Sequence, residues 1–262
     1  MIAYLSGFRP SNFYKVGKEV GIKHYLYSFY DFEKGSLADR HEKDYRLFVD
    51  SGGYTARVKG VKIDIFKYID FLNANAPYVT IAANLDTNDV EETLANQKLL
   101  LDRTSGVKIL PIYHYSDYVN PKYRGLLDEY IKNFDYIGVG GVAGTMNERK
   151  TLIKFMDYVF SKTKDKIKVH GFGITAETYV DRYPFYSVDS TSWQQGMRYG
   201  GTKTPEGKPL HYRNKEHIIQ NDLPHHLVMS GYLERLPYDL QYWVNFEKKY
   251  TRLWEARGVK WD

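Results

Sequence analysis

Three aspartates, each ending a short apolar run, are the residues best placed to do chemistry: Asp50 in RLFVDSGGY (46–54), Asp86 in YVTIAANLDT (78–87) and Asp189 in FYSVDSTSW (185–193). An Asp at a strand end can cap the next helix. Several that converge can instead supply a nucleophile, a proton carrier and an acceptor for a ligand edge. The most specific local signal is DSGGY (50–54): a carboxylate, two glycines that let backbone come close to a flat ligand, then the ring of Tyr54. His114 in PIYHY and His170 in KVHGFG end two further runs and read as hydrogen-bonding partners rather than metal ligands. VGGVAG (139–144), with Gly140 and Gly141, and GFG (171–173) offer backbone amides to an anion. Neither is the spaced dinucleotide fingerprint, and no GxxxxGK[ST] loop occurs, so a nucleotide cofactor is not expected.

These residues need a scaffold that brings strand ends together. Eight runs rich in β-branched and aromatic residues read as buried strands: 3–8, 24–30, 46–54, 78–87, 107–115, 136–144, 167–175 and 185–193. Between them lie helical stripes, at Ile65, Ile69 and Leu72, at Leu127, Ile131 and Phe134, and at Leu152, Met156 and Val159. Strand–helix alternation over this length suits a barrel of eight units, which needs about 250 residues. An open doubly wound sheet alternates in the same way, so the periodicity alone leaves barrel or open sheet undecided. The stretch from about 200 to 217 is polar, basic and Gly/Pro-bearing and reads as an exposed loop; a helical tail is expected over about 240–262.

The 262 residues fit one domain spanning 1–262. Lys and Arg exceed Asp and Glu by 37 to 32, a net +5 that suits a polyanionic partner. With 25 Tyr and 13 Phe there is ample core material, and many hydroxyls need partners. The absence of Cys removes disulfides, thiol nucleophiles, Cys-based zinc sites and iron–sulfur clusters. No His grouping has ligand spacing, including the pair at 225–226, so no metal is expected. Neither a signal segment nor a run of about 18 apolar residues is found, so a soluble, cytoplasmic protein with no membrane partner is expected.

Taken in order, these motifs resemble the tRNA-guanine transglycosylase superfamily, and more closely its virus-borne branch, the 7-deazaguanine DNA transglycosylases. DSGGY resembles the family's DSGGF/Y, NLD (84–86) its substrate-recognising Asp, VGGVAG its VGG-L-A-x-G loop, HGFGIT its M-G-V-G stretch, and SVDSTSW the segment carrying its nucleophile. The likeness runs from about Leu47 to Arg198, and YPFYSVDSTSWQQGMRYG is particularly like the viral branch. Two departures stand out. The tRNA enzymes carry a three-Cys, one-His zinc subdomain that this Cys-free chain lacks, and PIYHY places His114 where a family Gln would contact the purine O6.

The resemblance implies an α/β fold, a single-domain (β/α)8 TIM-type barrel without zinc subdomain. It implies exchange of guanine in DNA for a free 7-deazaguanine base, with Asp189 as nucleophile through a covalent aspartyl-glycosyl intermediate and Asp50 as acid and base. Asp86 would read the guanine edge, Tyr54 would stack, Gly140, Gly141 and His114 would reach O6, and His170 would flank the other face. Lys59, Lys62, Arg198, Lys203, Lys208 and Arg213 flank the strand-end loops and are candidates for phosphate contacts. In the cell this would place it in the cytoplasm of a viral host. Other readings are the same exchange on tRNA, a metabolic barrel enzyme on a small phosphorylated substrate, and a catalytically silent nucleic-acid-binding barrel. The last is disfavoured because a pure binder gains nothing from three carboxylates near phosphates.

Overall fold

The computed structural model describes residues 1–7, 11–32, 37, 46–141 and 149–261. Phe8 of the first expected strand and residues 142–144 of VGGVAG lie outside the described residues. Nine strands form one parallel sheet: β1 (Ile2–Ser6), β2 (His24–Ser28), β3 (Arg46–Asp50), β4 (Val79–Ala83), β5 (Lys108–Leu110), β6 (Ile112–His114), β7 (Tyr136–Gly140), β8 (Lys168–Gly171) and β9 (Ser187–Ser190). Their order is β5-β4-β3-β2-β1-β9-β8-β7-β6. The two end strands are consecutive in the chain and separated by Pro111 alone, which has no N–H to give the ladder. Its flanks still pair on both sides, Asn84 N donating to Leu110 O at 2.9 Å and Gly138 N to Pro111 O at 2.8 Å. The sheet therefore closes on itself as an eight-staved (β/α)8 barrel, which resolves the choice between barrel and open sheet. Each stave falls within one of the eight expected runs or begins one residue before it.

The barrel interior is filled by alternate residues of the staves, among them Tyr4, Leu26, Phe48, Ala83, Ile112 and Tyr136. Their sequence neighbours Leu5, Tyr25, Leu47, Val49 and Ala82 face the helices instead. This period-two division lets a fully buried strand carry an almost unbroken apolar run. The expected helical stripes lie on Ile65–Ala74, Leu126–Asn133 and Arg149–Thr163, except that Phe134, the last residue of the second stripe, is the extended cap just past its helix. Asp64 caps the first of these by accepting from Phe66 N at 2.8 Å.

Two expectations at the carboxyl end need correction. The basic stretch is not simply a loop: it holds an antiparallel hairpin, β10 (Gly201–Lys203) with β11 (Pro209–His211), then a helix from Lys215 to Gln220. The tail helix begins earlier than 240 and runs Tyr232–Ala256, continuing past Pro237, which lies in its second turn. It ties down the amino-terminal rim of the barrel, where Glu247 Oε2 accepts from Ala3 N and contacts His24 Nδ1, both at 2.9 Å. Among the described residues no helix is long and apolar enough to cross a membrane.

Candidate active site

All three aspartates stand at the carboxyl-terminal rim. Asp50 ends β3, Asp86 follows β4 and Asp189 lies in β9. Asp50 and Asp189 line one cavity of about 520 Å³ together with Ser6, Tyr27, Thr55, Gln194 and Arg198, a volume in the range of small-molecule sites. Burial, then the charges of Asp86 and Asp189, push the Asp50 carboxyl up to about 7. Hydrogen bonds such as Gly52 N to Asp50 Oδ2, 3.2 Å, only partly offset this. A larger cavity of about 780 Å³ lies beside the Gly53–Val58 helix and includes Asp86 but neither Asp50 nor Asp189, so size alone does not mark the place where the carboxylates meet.

Both glycines of DSGGY are explained by close approach. Gly52 has φ +79°, and a Cβ there would lie 2.5 Å from Tyr30 Cβ and 2.6 Å from Ser28 Oγ. A Cβ on Gly53 would lie 2.8 Å from the backbone oxygen of Asp86. Tyr68, buried beneath the rim, donates to Ala83 O at 2.8 Å and lies 3.5 Å from Val49 O, so one hydroxyl ties together the ends of the staves that carry Asp50 and Asp86.

Asp86 is held from two sides. Its Oδ2 lies 3.1 Å from Arg57 Nη1 and 3.1 Å from His114 Nε2. Burial pushes its carboxyl up, but His114 and Arg57 outweigh this and hold it below the usual carboxylate range. His114 in turn has Nδ1 3.7 Å from an oxygen of Asp117. Burial works against its charge, yet Asp117 and Asp86 prevail and raise the imidazole to about 9. Both ring nitrogens of His114 thus face carboxylates, which corrects the expectation that His114 reaches the O6 of a base. It anchors Asp86 instead. The loop carrying Asp86 is fixed further by buried amides, Asn84 Nδ2 donating to Thr93 O at 3.2 Å and Asn96 Nδ2 to Leu85 O at 3.1 Å.

Asp189 is oriented through both oxygens. Gly173 N, in the turn after β8, donates to Oδ1 at 2.7 Å and Ser6 Oγ, at the end of β1, to Oδ2 at 3.1 Å, so the neighbours on both sides of β9 hold it. The aromatic end of SVDSTSW locks this junction, because buried Trp193 donates from Nε1 to Ser6 O at 2.7 Å. His170 has no exposed surface and lies below the rim, with Nε2 3.5 Å from Asp189 Oδ1 and Nδ1 2.5 Å from Ser187 Oγ. Burial lowers its pKa. Packed between the rings of Phe48 and Phe172, it cannot offer a face to a bound base, so its expected flanking place is corrected to a buried support beneath Asp189.

The remaining expected residues divide. Tyr54 is 58% exposed at the rim. Gly140 and Gly141 make room for His114: a Cβ on Gly140 would lie 3.4 Å from His114 Cδ2, and one on Gly141 3.2 Å from His114 Cβ. Arg198 lines the Asp50–Asp189 cavity and bonds Gln194. Lys59 sits 4.9 Å from the Tyr30 ring centre. Lys62 is paired with Glu92 at 2.7 Å, and Lys203 with Glu177 at 3.0 Å. Lys208 and Arg213 are exposed on and beside the hairpin. Sequence reasoning missed Arg57, Asp117, Ser6 and Gln194. Only Asp117 left a local sign, lying three residues after His114, where its Oδ2 accepts from His114 N at 2.8 Å as a capping partner. Among the described residues no group of three or more His, Asp or Glu side chains is arranged to hold a metal ion.

The fold and rim define a (β/α)8 barrel with an acidic cluster where such barrels carry their chemistry. No protein-family model matches the chain, and no curated protein matches it.

Proposed function

We propose that the protein is a base-exchange glycosyltransferase that replaces guanine in DNA with a 7-deazaguanine through a covalent glycosyl intermediate on Asp189. The observation that carries this reading is the pairing, at one cavity, of an oriented Asp189 with an Asp50 raised to about 7. Exchange at a glycosidic carbon with retained configuration needs these two roles. Asp189 attacks C1′ as the C1′–N9 bond breaks, and Asp50 in its protonated form delivers a proton to the departing guanine. The incoming base then gives its proton to Asp50 and displaces Asp189, so both carboxyls return to their starting state. A group titrating near neutrality serves both directions.

Asp86 stays ionised and accepts from the N–H edge of guanine, an edge adenine does not present; selection then rests on the cost of leaving a buried carboxylate oxygen unpaired. The target nucleotide must leave its stack to reach the rim. Arg198 at the cavity wall and the exposed Lys208 and Arg213 are suited to phosphates nearby. A soluble protein working in the cytoplasm, that of a host cell if the chain is viral, fits this substrate.

The test is to incubate the protein with radiolabelled guanine or a 7-deazaguanine and, separately, duplex DNA, single-stranded DNA or tRNA, and score label in the polymer. Incorporation into DNA that vanishes in Asp189→Asn is the expected result. Label in tRNA alone would move the substrate to RNA, and no label in any polymer would end the base-exchange reading.

A further inference from the structure

Asp117 is 5% exposed, and the reaction above gives it no task. It opens on a cavity of about 610 Å³ shared with Asp86, His114, Arg57, Tyr130 and Gly141 and separate from the one holding Asp50 and Asp189. Here four side chains alternate in charge: Arg57 to Asp86 at 3.1 Å, Asp86 to His114 at 3.1 Å, and His114 to Asp117 at 3.7 Å. They come from the Gly53–Val58 helix, the loop after β4, the end of β6 and the Tyr115–Val119 helix. With His114 protonated the four charges cancel, and every ring nitrogen and the Oδ2 of Asp86 are taken up inside the cluster. The other oxygen, Oδ1, lies toward Gly53, where a Cβ would sit 3.0 Å from it.

We infer that Asp117 is a positioning residue: its negative charge keeps His114 protonated, and the protonated His114 pins Asp86 so that one carboxylate oxygen is presented to the ligand. A neutral ring that keeps its proton on Nε2 still donates to Asp86 Oδ2, but it turns the Nδ1 lone pair toward Asp117 and loses the positive charge that holds both carboxylates, so the grip on Asp86 weakens. The groups that contact His114 are Asp86, backed by Arg57, from two other elements, and Asp117 from the helix it caps; Asp89, Tyr123 and Tyr130 line the same cavity. Tyr130 titrates far above the relevant range, pushed up by burial and by Asp117. The electrostatic direction agrees, since Asp117 and Asp86 together raise His114 to about 9 against its burial.

The inference rests on the base-binding role given to Asp86, and the experiment separates the two. Asp117→Asn keeps an oxygen to accept from His114 N and removes only the charge, while Asp117→Glu restores the charge. The His114 ring is assigned by its loss from the NMR spectrum of His114→Gln, and its titration is followed in wild type and both Asp117 variants. In Asp117→Asn the midpoint falls by about one pH unit, the scale expected for losing a nearby opposite charge, and Asp117→Glu returns toward wild type. Guanine binding, measured by calorimetry, weakens about threefold in Asp117→Asn at pH 8.5, following the fall in protonated His114. At pH 6, where both proteins are protonated, it is unchanged. An unshifted His114 midpoint in a folded Asp117→Asn, or equal loss of binding at both pH values, overturns the inference. If wild type binds no guanine at any pH, the base-binding role of Asp86 is what fails, and the His114 midpoint alone decides the role of Asp117.

Discussion

Asp50 and Asp86 are neighbours at one rim, yet their surroundings drive them in opposite directions. Among the described residues no cation pairs with Asp50, so burial and two like charges raise it to about 7, while His114 and Arg57 hold Asp86 down despite its burial. Environments that split two carboxyls in this way assign one to proton transfer and the other to charge. A raised folded-state pKa disfavours the ionised form, so the stability associated with Asp50 is fully present below 3.8 and lost as pH rises through about 7. Asp50→Asn therefore slows exchange by about 10²–10⁴ while stabilising the fold, by up to about 4 kcal/mol at pH 8 and by almost nothing near pH 3. Urea unfolding midpoints at the two pH values check this; a variant less stable than wild type at pH 8 would show that Asp50 is not under electrostatic load. In single-turnover guanine release the same proton gives a rate that is flat below about pH 7 and falls tenfold per pH unit above it. A rate that rises above pH 7 would remove Asp50 as the acid.

The loops do as much as the side chains they carry. The turn after β3 works only because Gly53 lets the backbone oxygen of Asp86 come where a Cβ would be 2.8 Å away. Gly53→Ala presses on backbone rather than on the tip of a flexible side chain, so the short Gly53–Val58 helix and Arg57 must shift. The expected cost is about 1–3 kcal/mol of stability together with a raised KM for the free base. An unchanged KM with the stability loss would mean that the loop does not shape the base slot. This scale also shows what was legible in the sequence. Staves such as β3 were readable because they are buried on both faces and keep an apolar run, as in Leu47, Phe48 and Val49. The Val90–Arg103 helix was not, because its buried face includes Thr93, Asn96 and Gln97 beside Leu100. Thr93 and Asn96 hold the Asp86 loop, and a hydrophobic stripe cannot reveal them. Asp50, Asp86 and Asp189 were visible because each ends an apolar run. Arg57 and Asp117 lie within short helices and gain their meaning only from partners 29 and three residues away.

Across the whole molecule the two rims have different tasks. At the amino-terminal rim Glu247 is pushed up by burial but held below its usual value by His24, by the Ala3 amide and by the amino terminus. Its contribution is present above pH 4.5 and lost as pH falls, so Glu247→Gln costs about 1–3 kcal/mol at neutral pH and much less in acid, as thermal unfolding at pH 7 and pH 4 can report. An equal cost at both pH values would show that the charge of Glu247 contributes nothing. At the opposite rim the chain's +5 excess must be used locally if DNA is to lie there. Formal charge is a poor guide to which cations serve, because each phosphate contact acts by releasing a counterion and a cation already matched by a carboxylate releases little. Lys62 is 81% exposed but ion-paired with Glu92, and Lys203 is held by Glu177 and the Tyr242 hydroxyl. Arg198 instead opens on the Asp50–Asp189 cavity, bonded to the neutral Gln194. Plots of log binding constant against log salt for a duplex oligonucleotide therefore lose about one unit of slope in Arg198→Ala and stay near wild type in Lys62→Ala and Lys203→Ala. Equal slope changes in all three variants would mean that the phosphates track a general positive field and not the wall of the cavity that holds Asp50 and Asp189. An unchanged slope in Arg198→Ala would place the polymer away from that wall altogether.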